Sequence, residues 1–304
     1  MITWRLRNLS LKEVHHMERE LWPRLYHLIM EVGQTLRLID VSFQPHIIVL
    51  VFFWAALHER PVKWACNPRH WSTTTLRPGR LPSPSTMSRR LRRVDTAMLM
   101  RALVERLRQG EDPRLIALID GKPLPVGGAS HDPEVRCGRG AGMWAKGYKF
   151  YAIWGSRPVP ETYRVYPMNI NEDKVGEEMI PELHGGGYLL GDGEYDANPV
   201  FDAAGAAGYQ LLAPREDPDT GLGHHYQSPY RLRCIELMRS AFGRGVFACR
   251  GAIERTFGAL TSFGGGLLPL PSWVRHLNRV WLWVSAKLVI NGVRIMALRK
   301  GLAA

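Results

Sequence analysis

Apolar positions divide the chain into a helical first third and a remainder that carries strands. Up to about Gly110 they recur at helical spacing. Ser10-Leu11-Lys12-Glu13 has the form of a capping box, ahead of a helix that Pro23 breaks or kinks. Residues 47–58 are apolar on nearly every side, as a buried helix is. Residues 63–84 hold four prolines and read as loop. Ser83-Pro84-Ser85-Thr86 then starts a helix leading into Arg89, Arg90, Arg92 and Arg93. Asp95 or Thr96 is the expected cap of a further amphipathic helix that ends near Gly110. Beyond Asp112 the period changes. Strand-like runs fall at 115–119, 149–154, 162–166, 188–190 and 209–212. Asn198-Pro199 opens a short helix closed by Gly208. A helical region spans 230–260 with a break expected at 243–245, and 264–271 reads as loop. A last helix covers 273–298. Strands mixed with helices predict a layered α/β domain, here 111–304, after an all-helical domain at 1–110.

Composition supports a folded chain: 45% of 304 residues are hydrophobic, enough for a sizeable core. Neither apolar run predicts a membrane span. Residues 47–57 fall short of the roughly 20 needed, and 280–290 is interrupted by Ser285 and Lys287. The first residues lack the apolar segment of a secretory signal. Four cysteines without a C-x-x-C pair predict neither a disulfide framework nor a zinc ribbon, which fits a reducing cytoplasm. The net charge of +12 changes the picture most, because it favours a polyanionic partner such as DNA, RNA or an anionic surface.

Candidate chemistry lies in three acids. Leu115-Ile-Ala-Leu-Ile119 runs into Asp120, and Gly187-Tyr-Leu-Leu-Gly191 runs into Asp192. An ionised Asp after a strand buried on both faces is costly unless it is solvated, paired or metal-bound. In open α/β sheets, ligands bind beyond the carboxyl ends of strands, so two such acids can share a crevice. Glu254 lies one turn after Arg250 on a helix whose stripe is Ile253, Phe257 and Leu260. Each acid has a plainer reading: Asp120 or Asp192 as a turn residue before a glycine, Glu254 as half of a helical ion pair with Arg250. Together, three carboxylates are the hard oxygen donors that suit Mg²⁺ or Mn²⁺.

The ordered segments around these acids add a resemblance. Ile119-Asp120-Gly-Lys-Pro, Lys146-Gly-Tyr-Lys149, Asn169-Ile-Asn-Glu-Asp173, Gly191-Asp192-Gly-Glu-Tyr-Asp196 and Arg250-Gly-Ala-Ile-Glu254-Arg-Thr-Phe257 resemble the DDE transposases of bacterial insertion sequences. The likeness covers roughly half the chain; the segments from Arg60 to Cys66 and Ser85 to Arg90 are similar less distinctively. Phe247 stands where many relatives have Tyr, and Thr261 where many have a Lys that contacts DNA.

The resemblance implies an RNase H-like mixed sheet flanked by helices, with Asp120, Asp192 and Glu254 as catalytic ligands of two Mg²⁺ or Mn²⁺ ions. It implies DNA cleavage at element ends and strand transfer into target DNA. The implied partners are the element ends and the target, bound by a homodimer on DNA in the bacterial cytoplasm, with no membrane. Arg89, Arg90, Arg92 and Arg93, after an upstream helix and turn, are candidates for helix-turn-helix DNA contact. Lys122, Lys149 and Arg250, with Lys146, are candidate phosphate contacts beside the crevice. Asp196 is expected to cap the helix at Pro199, and His224-His225 to sit in an exposed loop. Two other readings share these residues: a DNA-binding derivative that no longer cuts, and an RNase H-like nuclease without strand transfer.

Overall fold

The computed structural model describes residues 17–36, 41–110, 115–128, 130–140, 143–262 and 266–302. The capping box at Ser10 lies outside them. The chain forms two compact units, one of residues 1–109 with 260–304, the other of residues 110–259.

The first unit is helical. After a π-helical turn at Met17–Leu21, α1 (Trp22–Gly33) begins with Pro23 in its first turn, where a missing N–H leaves no bond unmade. Helix α2 (Pro45–Leu57) is buried from Ile48 to Leu57. Its Trp54 stacks on Trp71 at 4.7 Å and meets Trp22 edge-on at 4.8 Å. Each buried indole N–H needs an acceptor. Trp22 donates to Leu76 O at 2.8 Å, Trp54 to His70 O at 3.0 Å and Trp71 to Ala65 O at 2.8 Å. These bonds organise the expected loop, whose only regular pieces are turns at Val62–Ala65 and Pro68–Trp71. Ser83 caps α3 (Pro84–Arg90) by accepting from Thr86 N. Helix α4 (Val94–Arg108) starts one residue before the expected caps. The Asp95 carboxylate is taken by Arg90 at 3.0 Å and by Thr96 N at 2.7 Å.

The last helix, α10 (Leu277–Leu302), belongs to this unit, whereas the sequence pattern grouped it with the second. Residues 282–291 are buried without a break, so the helix needs cover all round, and α1, α2 and α4 supply it. Its length and composition would suffice to cross a membrane, but 72% of the most apolar window is buried inside the protein. Lys287 is fully buried there and donates to Ala56 O at 2.8 Å.

The second unit is built on a mixed sheet. Strands β1 (Ile116–Pro125), β2 (Arg136–Gly140), β3 (Met143–Trp154), β4 (Thr162–Pro167), β5 (Gly187–Leu190) and β6 (Tyr209–Leu212) pair in the order β2-β3-β1-β5-β6, with β4 also on β3. The β1–β3, β2–β3 and β3–β4 pairs are antiparallel, and β1–β5–β6 is parallel. Helices α5 (Glu172–Met179), α6 (Asn198–Ala206), α7 (Pro229–Arg239), α8 (Ala241–Phe247) and α9 (Gly251–Ser262) complete the described elements.

Three elements differ from the sequence expectation. Strand β1 does not end at Asp120 but continues five residues, because antiparallel pairing with β3 extends to Pro125. Strand β2 lacks an apolar alternation and is held by pairing to β3 alone. Helix α5 falls where the sequence pattern placed no element. Its acidic first turn suits a helix N-terminus, and Val175 and Met179, four apart, are buried. The break in the 230–260 region falls at Ser240, whose side chain caps α8, and at the 3-10 turn Ala248–Arg250, not at Gly243.

Candidate active site

Pairing geometry creates the site. Strand β1 is paired to β5 only from Ile116 to Leu118, while its pairing to β3 runs on. Asp120 therefore sits just past the carboxyl end of β5, at the opening that parallel sheets leave for ligands. Its Oδ1 accepts from Gly121 N at 2.8 Å. Asp192 follows β5 by two residues and caps a 3-10 turn by accepting from Glu194 N at 3.1 Å. Glu172 enters from the first turn of α5. One carboxylate oxygen from each of Asp120, Glu172 and Asp192 lies within 4.8 Å of the others. Glu254 lines the same crevice of about 860 Å³ from α9 but is outside that cluster. Ile253 and Phe257 anchor α9, and Phe257 meets Phe150 of β3 edge-on at 5.8 Å.

The electrostatics run against those of the chain as a whole. In a protein of net charge +12, the crevice is lined by the acids Asp120, Glu172, Asp192, Glu194 and Glu254 and by only three bases, Lys122, Arg139 and Lys149. Burial, then the Glu172 and Asp192 charges, push the Asp120 carboxyl up to about 7, against the pull of Gly121 N–H and Arg250. Burial and Glu172 also raise Asp192, with Arg250 opposing. Burial raises Glu172 despite the Lys149 ammonium. Buried carboxylates this close together are short of positive charge, which a divalent cation would supply. The donor set is all carboxylate, without Cys or His, so it fits a hard ion.

Other expected site residues are dispersed. Arg250 approaches Asp192 at 3.5 Å rather than pairing with Glu254. Lys122 lines the crevice. Lys149 also lines it but is 5% exposed and bonds Glu172 at 2.7 Å, so its charge is engaged within the protein. Lys146 is bound to Ser130 O. Arg89, Arg90, Arg92 and Arg93 belong to the helical unit, and only the first two lie on α3. Arg90 and Arg93 pair with Asp95 at 3.0 and 3.4 Å, Arg92 donates to Ser88 O, and Arg89 is exposed. Asp196 does not cap α6, whose N-cap is Ala197; it takes a two-pronged bond from Arg231 at 2.7 and 2.6 Å. His224 and His225 are exposed. Glu172, Arg139 and the exposed Trp144 are crevice residues that the sequence reading did not select. Only the Asn169–Asp173 motif marked the neighbourhood of Glu172.

A mixed sheet with acids on its first strand, beyond a central parallel strand and on a late helix is the architecture of an RNase H-like domain. The chain belongs to the DDE transposase family: the model of the transposase DDE domain matches residues 111–288, more than half its length. No curated protein and no solved structure matches it. Membership implies DNA as substrate and use of divalent metal.

Proposed function

We propose that this protein is a divalent-metal-dependent transposase that cuts DNA at the ends of its element and joins the freed strands to target DNA. The observation that carries the reading is the convergence of Asp120, Asp192 and Glu254 on one acidic crevice of a basic protein. Asp120, Asp192 and Glu254 are the ligands of two Mg²⁺ or Mn²⁺ ions in this reading. Bound there, the ions would activate the attacking oxygen and stabilise the leaving one.

The chain's residues hold the DNA to that chemistry. Lys122 lines the crevice and Arg250 stands beside it, 3.5 Å from Asp192, and both carry positive charge suited to the scissile phosphate. In the first displacement, a water oxygen attacks phosphorus and the P–O3′ bond breaks, leaving a 3′-hydroxyl. That hydroxyl then attacks a target phosphodiester, so one such bond replaces another and no covalent protein intermediate is needed. Arg89 and Arg92 of the helical unit supply sequence-independent phosphate contact, and two copies bring two ends together.

The test supplies duplexes carrying the element's terminal repeats. Nicking that requires Mg²⁺ or Mn²⁺ and disappears in Asp192→Ala supports the reading; full activity in EDTA or in that variant refutes it. A pre-cut end offered with a target duplex separates the transposase from a nuclease, because only the transposase joins them.

A further inference from the structure

The cluster that actually closes within ligand reach is not the three acids of the family motif but Asp120, Asp192 and Glu172. Glu172 is 5% exposed. Its Oε1 accepts from Lys149 Nζ at 2.7 Å, and the carboxylate also interacts with the buried Tyr195 hydroxyl. The backbone is shaped around this side chain. A Cβ at Gly121 would come within 2.9 Å of both Glu172 Oε1 and Lys149 Cδ, so the glycine next to Asp120 makes the room that the pair occupies.

We propose that Glu172 is a further ligand of the metal centre, shared with Asp120 and Asp192, and that Lys149 is the positioning residue that holds it there. The proposal rests on the reading that this crevice binds divalent cations. Lys149 fixes the Glu172 carboxylate where one of its oxygens lies within 4.8 Å of oxygens of Asp120 and Asp192. The same pair explains why a base in the middle of the sheet is withdrawn from solvent: its charge keeps a fourth acid from being expelled by Asp120 and Asp192 when the ion is absent.

Mn²⁺ binding to the full-length chain, measured by calorimetry without DNA, tests this at pH 8. Glu172→Gln keeps the shape and can still accept from Lys149; it is expected to weaken Mn²⁺ binding about tenfold or more. The double variant Lys149→Met/Glu172→Gln removes both charges, so it guards against misfolding of the single one, and is expected to show the same loss. Melting in EDTA is recorded for each. If the folded variants bind Mn²⁺ as the parent does, whatever their melting temperatures, the pair is structural and the proposal is overturned. Asp192→Asn separates the two levels: loss of Mn²⁺ there, with none in Glu172→Gln, leaves the metal site standing and removes Glu172 from it. Undiminished binding in Asp192→Asn overturns both.

Discussion

Asp120→Asn should stabilise the metal-free protein while abolishing its chemistry. The carboxyl is ordinarily half-titrated near 3.8, and burial with the Glu172 and Asp192 charges holds it at about 7. At 1.36 kcal/mol per decade, the difference amounts to about 4 kcal/mol against the folded state at pH 8. Water in the open crevice screens part of this, so about 2 kcal/mol is expected. That corresponds to a rise in melting temperature on the order of 5 °C. The amide keeps the acceptor for Gly121 N–H and removes only the charge. The sign of the pH dependence follows from proton counting. Between pH 4 and 7 the native state keeps a proton that the unfolded chain has released, so wild-type stability falls as pH rises through that window and levels off above it. The gain from Asp120→Asn should therefore be full at pH 8 and nearly absent at pH 4. Thermal melts in EDTA at both pH values check this, alongside a Mg²⁺-dependent nicking assay. An equal or lower melting temperature at pH 8 would refute the view that these carboxylates repel one another in the empty crevice.

Three further outcomes follow from the same reasoning. Burial pushes Lys287 down to about 8, with Glu59 opposing, so its protonation costs stability progressively as pH falls from 10.5 to 8, and the full cost persists below 8. Lys287→Met should leave the melting temperature at pH 7 unchanged or raise it, offsetting the lost bond to Ala56 O; a drop beyond about 5 °C counts against it. Arg231→Ala strands the Asp196 carboxylate, whose side chain is 3% exposed, and should cost about 3 kcal/mol in urea denaturation. Arg89→Ala with Arg92→Ala removes two solvent-facing charges; DNA affinity should fall about equally for all sequences, and the salt slope should drop by about 1 to 2. An unchanged slope would exclude these residues from phosphate contact.

Local chemistry was legible in the sequence where local rules govern it. The apolar run in α2, the Ser83 cap of α3, Pro199 opening α6 and the parallel strands β5 and β6 all lie where periodicity and capping put them. Asp120 and Asp192 could be picked because an acid after a buried strand is costly without a partner. Strand β2 and the far half of β1 gave no such signal, since pairing to β3, not side-chain pattern, makes them strands. The packing of helix α10 in the helical unit was not legible, because an all-round apolar helix specifies that it be covered, not by what.

Residue types and spacing alone therefore determined the family and the net positive charge, and they marked the three candidate acids. Which carboxylates come within an ion's reach was decided by the register that ends β5 beside Asp120 and by α5 delivering Glu172. Carboxylates interact through space over a few ångströms, and only the folded chain sets those distances.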